Sequence, residues 1–243
     1  MKEPRERPTR RAPVVWERPE PTTRPAPSPL SRDQIVRAAI ALADRDGLGA
    51  VSLRKVGAAL NAGPMRLYGY LSTKEELLDL MADAIYGEIG PAAPGGDWRT
   101  TFRALAYRIR AVALDHRWFI DLHIGRLHFG PNALAHREDM FAALDGVAGF
   151  ENIDMAMQAV ITFNAYVIGA IWNEATELRA ERESGMDQAQ WQSASWPYLH
   201  RAMASGKYPM LARIVREATH PAAEVVFDRG LELVLDGIAA GAR

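Results

Sequence analysis

No cysteine occurs in the 243 residues, which excludes disulfide scaffolds, cysteine nucleophiles and all-cysteine zinc sites. No cationic segment running into an apolar stretch opens the chain, so no signal peptide is expected. The strict apolar–polar alternation of a half-buried strand is missing, and no segment repeats. Six histidines are present, His116, His123, His128, His136, His200 and His220. None sits in a His-Glu-x-x-His pattern, and His123 and His128, five apart, do not share a helix face. No metal and no cofactor is therefore expected, and no catalytic group stands out. What is present is an ordinary globular composition, 48% apolar and 24% charged, in a chain long enough for one or two domains.

The net charge of −1 hides an asymmetry. Residues 1–74 carry fourteen Lys/Arg against seven Asp/Glu, whereas residues 75–243 carry fifteen against twenty-three. One end can face a polyanion while the rest repels it. Residues 1–30 hold eight of the fifteen prolines and seven of the basic residues. Proline fixes φ and lacks a backbone donor, so this stretch is expected to be a flexible Pro/Arg-rich arm, with Val14, Val15 and Trp16 as its apolar cluster. Two readings stand side by side: a solvated terminus, or an arginine-bearing arm lying along DNA.

From Ser31 on, the pattern is helical. Ser31 and Gln34 form a capping box, followed by Ile35, Ala38, Ala39 and Leu42 on one face. Ser52 caps a second helix, with Leu53, Val56 and Leu60 inward. Asn61-Ala62-Gly63 is a tight turn, because Asn and Gly best tolerate positive φ. Pro64 suits the first position of a third helix, 64–70, that buries Leu67 and Leu71. Thr73 and Glu76 begin a fourth. Further helices are expected over 97–115, 132–148, 152–183, 187–204 and 221–240, with 116–130 irregular. The fold class is all-α. Residues 155–173 carry no charge over a length that could span a bilayer. Gln158, Thr162, Asn164 and Asn173 within it, and Asp154 and Glu174 beside it, favour a buried soluble helix, so no membrane partner is expected.

Helix 52–60, a three-residue turn and helix 64–70 make a helix-turn-helix. The second helix starts with Pro64, Met65 and Arg66, the end such a helix points at base edges in the major groove. Arg66 can donate two parallel hydrogen bonds to guanine O6 and N7. Pro64 and Met65 can touch a thymine methyl, while Tyr68, Ser52 and Lys74 can reach phosphates. None of these contacts needs a catalytic group.

The segment VSLRKVGAALNAGPMRLYGYLSTKEELLDLMADAI, 51–85, resembles the DNA-binding domain of the tetracycline-repressor (TetR) family of bacterial transcriptional regulators. GPNALAHRE (130–138), YVIGAIWNE (166–174) and FDRGLELVLDGI (227–238) resemble the regulatory domain of the subgroup around the tetracycline repressor itself. The resemblance implies a three-helix DNA-binding domain at 31–76, after the 1–30 arm, and an effector-binding and dimerisation domain at 77–243. It implies a cytoplasmic homodimer, paired through two long C-terminal helices of each subunit, that binds a palindromic double-stranded DNA operator. A small-molecule effector would spread the recognition helices and release it. Carried over by position, the DNA-binding residues are Ser52, Arg54, Pro64, Met65, Arg66, Tyr68, Tyr70 and Lys74. Gly69 stands where a large side chain is usual, and Asn61 replaces a common turn glycine. His116 corresponds to a histidine that helps hold a drug-chelated metal in the tetracycline repressor, but the acidic partner position falls on Asn173. The effector cavity is expected to involve His116, Trp118, His123, Phe163, Asn164, Trp172 and Asn173, and the dimer interface Leu231, Val234, Leu235 and Ile238. The protein is thus expected to be a repressor rather than an enzyme. An all-α enzyme, or a DNA-binding protein without an effector, are the alternatives.

Overall fold

The computed structural model describes residues 14–21, 30–92, 96–122 and 128–242. Eleven α-helices and two 3₁₀ turns make up the described residues, with no strand among them. The chain divides into two compact units, one of residues 1–91 with 121–138, the other of 92–120 with 139–243.

In the first unit, α1 (Arg32–Asp46) opens on the expected capping box, with Ser31 Oγ accepting from the Gln34 amide at 3.2 Å and the Gln34 side chain accepting from the Ser31 amide at 3.1 Å. α2 (Leu53–Ala59), α3 (Pro64–Leu67) and α4 (Lys74–Ile89) follow. α1 packs against both α2 and α4, burying Ile35, Ala39, Val56, Leu67, Leu77, Met81 and Ile85. The expected boundary at 76/77 falls inside α4, a continuous helix that packs against α1. The described part of the 1–30 segment is not a free arm. Val15–Glu17 form a 3₁₀ turn with Val15 3% exposed, Arg18 hydrogen-bonds Ser72 and pairs with Glu76, and Glu20 accepts from the Arg32 amide at 3.1 Å. The rest of 1–30, apart from Leu30, lies outside the described residues.

The first unit also holds the start of α7 (Pro131–Ala142). Asp83 of α4, 6% exposed, accepts from the Ala133 amide at 2.9 Å and the Asn132 side-chain amide at 3.2 Å. Asn132 also donates to the Asp83 carbonyl at 3.1 Å. A Cβ on Gly130 would stand 2.2 Å from Asp83 Oδ1, so only glycine lets the chain approach this closely. Burial pushes the Asp83 carboxyl above its ordinary range, opposed by the bonds from Ala133 and Asn132.

The second unit is built on α5 (Trp98–Asp115), α8 (Ile153–Ser184) and α11 (Ala223–Gly241), with α8 against both of the others. Phe102, Leu105, Phe163, Val167, Ile171, Leu231 and Leu235 are fully buried. A polar ladder joins α5 to α11: Tyr107 donates to Asp228 at 2.7 Å, Arg103 to Glu232 at 2.7 Å, and Arg99 pairs with Asp236. Each partner steps by four residues, one side of a helix. Arg110 grips Glu174 of α8 through two bonds, at 2.6 and 2.8 Å. α6 (Phe119–Leu122) is one turn within the stretch expected to be irregular. α9 (Gln188–Ala204) matches expectation, but α10 (Pro209–Glu217), opened by Pro209 at its first position, was not anticipated. α3 and α7 are each shorter than their expected spans, 64–70 and 132–148.

Candidate nucleic-acid interface

α2 begins where Ser52 Oγ accepts from the Lys55 amide at 3.2 Å. It ends in a turn where Asn61 takes φ 50°, the left-handed conformation that Asn tolerates. The Ala62 amide donates to the Gly57 carbonyl at 2.8 Å. A Cβ on Gly57 would lie 2.7 Å from the Ala62 oxygen, so glycine inside α2 is what lets the turn fold back so tightly. Pro64 then opens α3 with Leu67, fully buried, as its anchor.

With Leu67 turned inward, the other side of α3 is presented outward. Met65 is 80% exposed and Tyr68 51%, and Pro64 and Arg66 are exposed as well. Arg54, Lys55 and Lys74 are exposed, and Ser52 half-exposed. From Ser52 to Lys74 the chain carries four cations and no carboxylate. A guanidinium, a thioether-bearing side chain and a phenol hydroxyl project from one short helix, with further cations on α2 and at the start of α4. That set can bind phosphates and read base edges.

Tyr70 does not belong to this face. It is 4% exposed, its hydroxyl donates to the Leu30 carbonyl at 2.6 Å, and its own carbonyl accepts from Arg32 Nε at 3.3 Å. The two turns after Leu67 carry residue 70 round to the core, where it ties the exit of α3 to the entry of α1. Gly69 has a partner that the sequence did not suggest: the Pro21 ring lies 3.6 Å from where a Gly69 Cβ would stand.

Among the described residues, those expected to line an effector cavity do not gather. Trp118 is 3% exposed and Phe163 fully buried; Phe163 packs at a tilt against Phe102 with centroids 4.6 Å apart, as core. His116 ends α5 and is half-buried, with its ring 6.0 Å from Trp118. Asn164 donates to the Val160 carbonyl at 3.0 Å along its own helix. Trp172 is 43% exposed. It lies nine residues from Phe163, half a turn out of phase on the same helix, so both cannot face one cavity. Asn173 is exposed and lines an open groove of about 790 Å³ between α8 and α11, with Tyr166, His220, Phe227 and Gly230. Glu174 is held by Arg110. His123 lies outside the described residues, and no cluster suited to a metal occurs among those described.

The residues expected at a subunit interface are inside the second unit. Leu231 and Leu235 are fully buried, Ile238 is 8% exposed, and Val234 is half-exposed. Both sides of α11 are apolar, and the ladder to α5 fixes which one turns in. The outward side carries Val226 and Leu233, 54% and 74% exposed. On α8 the outward stripe is Ile153, Met157, Ile161, Ala165, Gly169 and Trp172. α9 and α10 bury none of their residues, leaving Trp191, Trp196, Tyr198, Met210, Leu211 and Ile214 exposed.

The family model for the tetracyclin repressor-like C-terminal domain matches residues 90–241. The chain is 37% identical to an HTH-type transcriptional regulator of Saccharopolyspora erythraea, over 94% of this chain and 92% of that protein. It is 33% identical to the HTH-type transcriptional repressor DrrR1 of Streptomyces coeruleorubidus, over 90% of this chain and 80% of that one. Among solved structures, ActR of Streptomyces coelicolor in complex with actinorhodin superposes with a TM-score of 0.75 at 25% identity, covering 88% of this chain and 97% of ActR.

Proposed function

The chain belongs to the tetracycline-repressor family of transcriptional regulators, and from that premise we propose that it is a cytoplasmic homodimeric repressor, released from a palindromic operator by a small, largely apolar effector. The observation that carries the reading is the outward face of α3. Pro64, Met65, Arg66 and Tyr68 are exposed there while Leu67 alone anchors the helix. In a dimer, two such helices read half-sites about one helical turn (~34–36 Å) apart.

Homodimerisation is supported by the apolar residues that the second unit leaves outside. Ile161 and Trp172 on α8 and Val226 and Leu233 on α11 make a stripe beside Gly169, Gly237 and Gly241, where helices can cross closely. A two-fold axis through this stripe makes each residue serve both subunits. The exposed aromatic and aliphatic residues of α9 and α10 give a second copy further surface to cover. Dimerisation thus goes through the same two long helices first expected, but through their other sides.

Effector control is supported by the size of the second unit, which exceeds what a DNA anchor needs, and by the likeness to ActR, solved with actinorhodin. An effector acts only through its preference for the arrangement that does not fit DNA. Turning 99% bound into 99% free needs a preference of about 10⁴-fold. Linkage then requires operator DNA to weaken effector binding by the same factor.

The test is an electrophoretic shift on DNA from upstream of its own coding region, with and without candidate effectors. A discrete complex that an effector dissolves is expected. A complex that no effector alters would leave an effector-independent DNA-binding protein, and no complex on any duplex would remove the DNA reading.

A further inference from the structure

We infer that Arg18, on a strap docked at the corner between α3 and α4, is a positioning residue for DNA binding: it neutralises the Glu76 carboxylate near Lys74, so that this corner can approach a phosphate, and does not itself touch DNA. The inference rests on the DNA-binding reading above. The strap is residues 14–21, and three contacts fix it. Val15 is 3% exposed, the Glu20 carboxylate accepts from the Arg32 amide at 3.1 Å, and the Pro21 ring lies 3.6 Å from where a Gly69 Cβ would stand. Arg18 sits between these points and spans the corner. One end of its guanidinium donates to Ser72 Oγ and the other to Glu76 Oε2. The paired side chains are only 22% and 23% exposed, so salt screens this pair less than it would an open surface pair.

At Glu76 the needs of the helix and of the DNA conflict. The Glu76 carboxylate reaches back to accept from the Ser72 amide at 2.7 Å, while its own amide donates to Thr73 Oγ1 at 3.2 Å. An acid there suits the start of α4, whose free amides carry partial positive charge. Its reach to Ser72, two residues before Lys74, also brings negative charge to the end of α4 that the exposed Lys74 offers to a phosphate. From Ser52 to Lys74 no carboxylate interrupts the cationic face, and Glu76 is folded back against its end. Left bare, it would repel the phosphate that Lys74 attracts. Arg18 removes that repulsion and leaves the cap in place. The neighbouring acid, Glu75, is exposed and open to screening by water and salt. The Arg18 guanidinium is committed to Ser72 and Glu76, and the strap around it carries Glu17 and Glu20, so the strap as a whole does not attract a polyanion. Its benefit is therefore affinity for any duplex, with base preference left to α3.

The experiment uses a duplex selected by the full chain from a random-sequence pool, so that failure to select any duplex refutes the DNA-binding reading and not this one. Affinity for that duplex and for random DNA is then measured at several salt concentrations for the full-length chain, Arg18→Ala, Glu76→Gln and the double variant Arg18→Ala/Glu76→Gln. Glutamine keeps an acceptor for the Ser72 amide and drops the charge. Arg18→Ala should bind about 3–30-fold more weakly near 0.1 M salt, on selected and random DNA alike. Glu76→Gln should bind at least as tightly as the native chain. The double variant, with the same net charge as the native chain, should recover both its affinity and its salt slope. Should Arg18→Ala fail to fold, Arg18→Gln takes its place in both single and double variants. Unchanged affinity on loss of Arg18 would overturn the inference, and so would a double variant as weak as Arg18→Ala. In that second case a salt slope shallower by about one per subunit would make Arg18 a direct phosphate contact, and a native slope would make it a structural clasp only.

Discussion

Leu233→Glu tests which side of α11 meets a second subunit. Leu233 is 74% exposed in the single chain, whereas Leu231, two residues earlier, is fully buried. Two residues turn a helix by about 200°, so the pair reports opposite faces. Burying a whole leucine side chain is worth about 1.5–3 kcal/mol; the exposed three-quarters of Leu233 then offers ~1–2 kcal/mol, used twice across a two-fold axis. Glutamate removes that ~2–4 kcal/mol and brings like charges together beside Glu232. The dissociation constant should rise about 30- to 10³-fold, at ~1.4 kcal/mol per decade. Sedimentation over nanomolar to micromolar protein should show a monomer where the unaltered chain is a dimer. Leu231→Ala acts differently: it opens a core cavity and should cost about 2–5 kcal/mol of folding stability. A Leu233→Glu protein that stays dimeric across that range, with an unchanged melting temperature, would refute this assignment of faces.

Tyr70→Phe should lower stability by about 1 kcal/mol through loss of the bond to Leu30, read by chemical denaturation, with operator affinity of the folded protein unchanged. Asp83→Asn should cost about 1–3 kcal/mol at neutral pH, because the donors of Ala133 and Asn132 are no longer both matched. The Asp83 carboxyl is raised by burial, so charging it disfavours the folded state, and its contribution falls as pH climbs from the ordinary carboxyl value through the raised one. The stability gap between the native chain and Asp83→Asn should accordingly be widest in acid and narrow toward neutral pH, as followed by melting temperature. Gly130→Ala forces a methyl into the Asp83 carboxylate and should cost about 1–3 kcal/mol, seen in the same melts.

The reading unit was legible because its signals are local. The Ser31–Gln34 box, the Ser52 cap, Asn61 at positive φ and Pro64 at a helix start each act within four residues, and each is found as expected. Tyr70 was misplaced because positional likeness cannot show that the chain after Leu67 turns inward. Faces on the long helices were not legible from apolar spacing. α11 has leucines at 231, 233 and 235, and α8 carries no charge from 155 to 173 to mark a face. The signal that settles the face of α11 was electrostatic: acids at 228, 232 and 236 match Tyr107, Arg103 and Arg99 at the same four-residue step. α10 escaped notice because it is only nine residues long, opens on Pro209 and buries nothing in its own chain.

Base-by-base affinity on the selected duplex tests the central claim most directly, comparing Arg66→Ala with Lys74→Ala. Arg66, on the exposed side of α3, should be a reader: its loss should relax preference at one base pair per half-site by about 1–3 kcal/mol and leave other positions unchanged. Lys74, exposed at the start of α4, should bind phosphate: its loss should weaken every sequence alike and flatten the salt slope by about one per subunit. Equal losses on selected and random DNA for Arg66→Ala, with no base pair relaxed, would contradict the account.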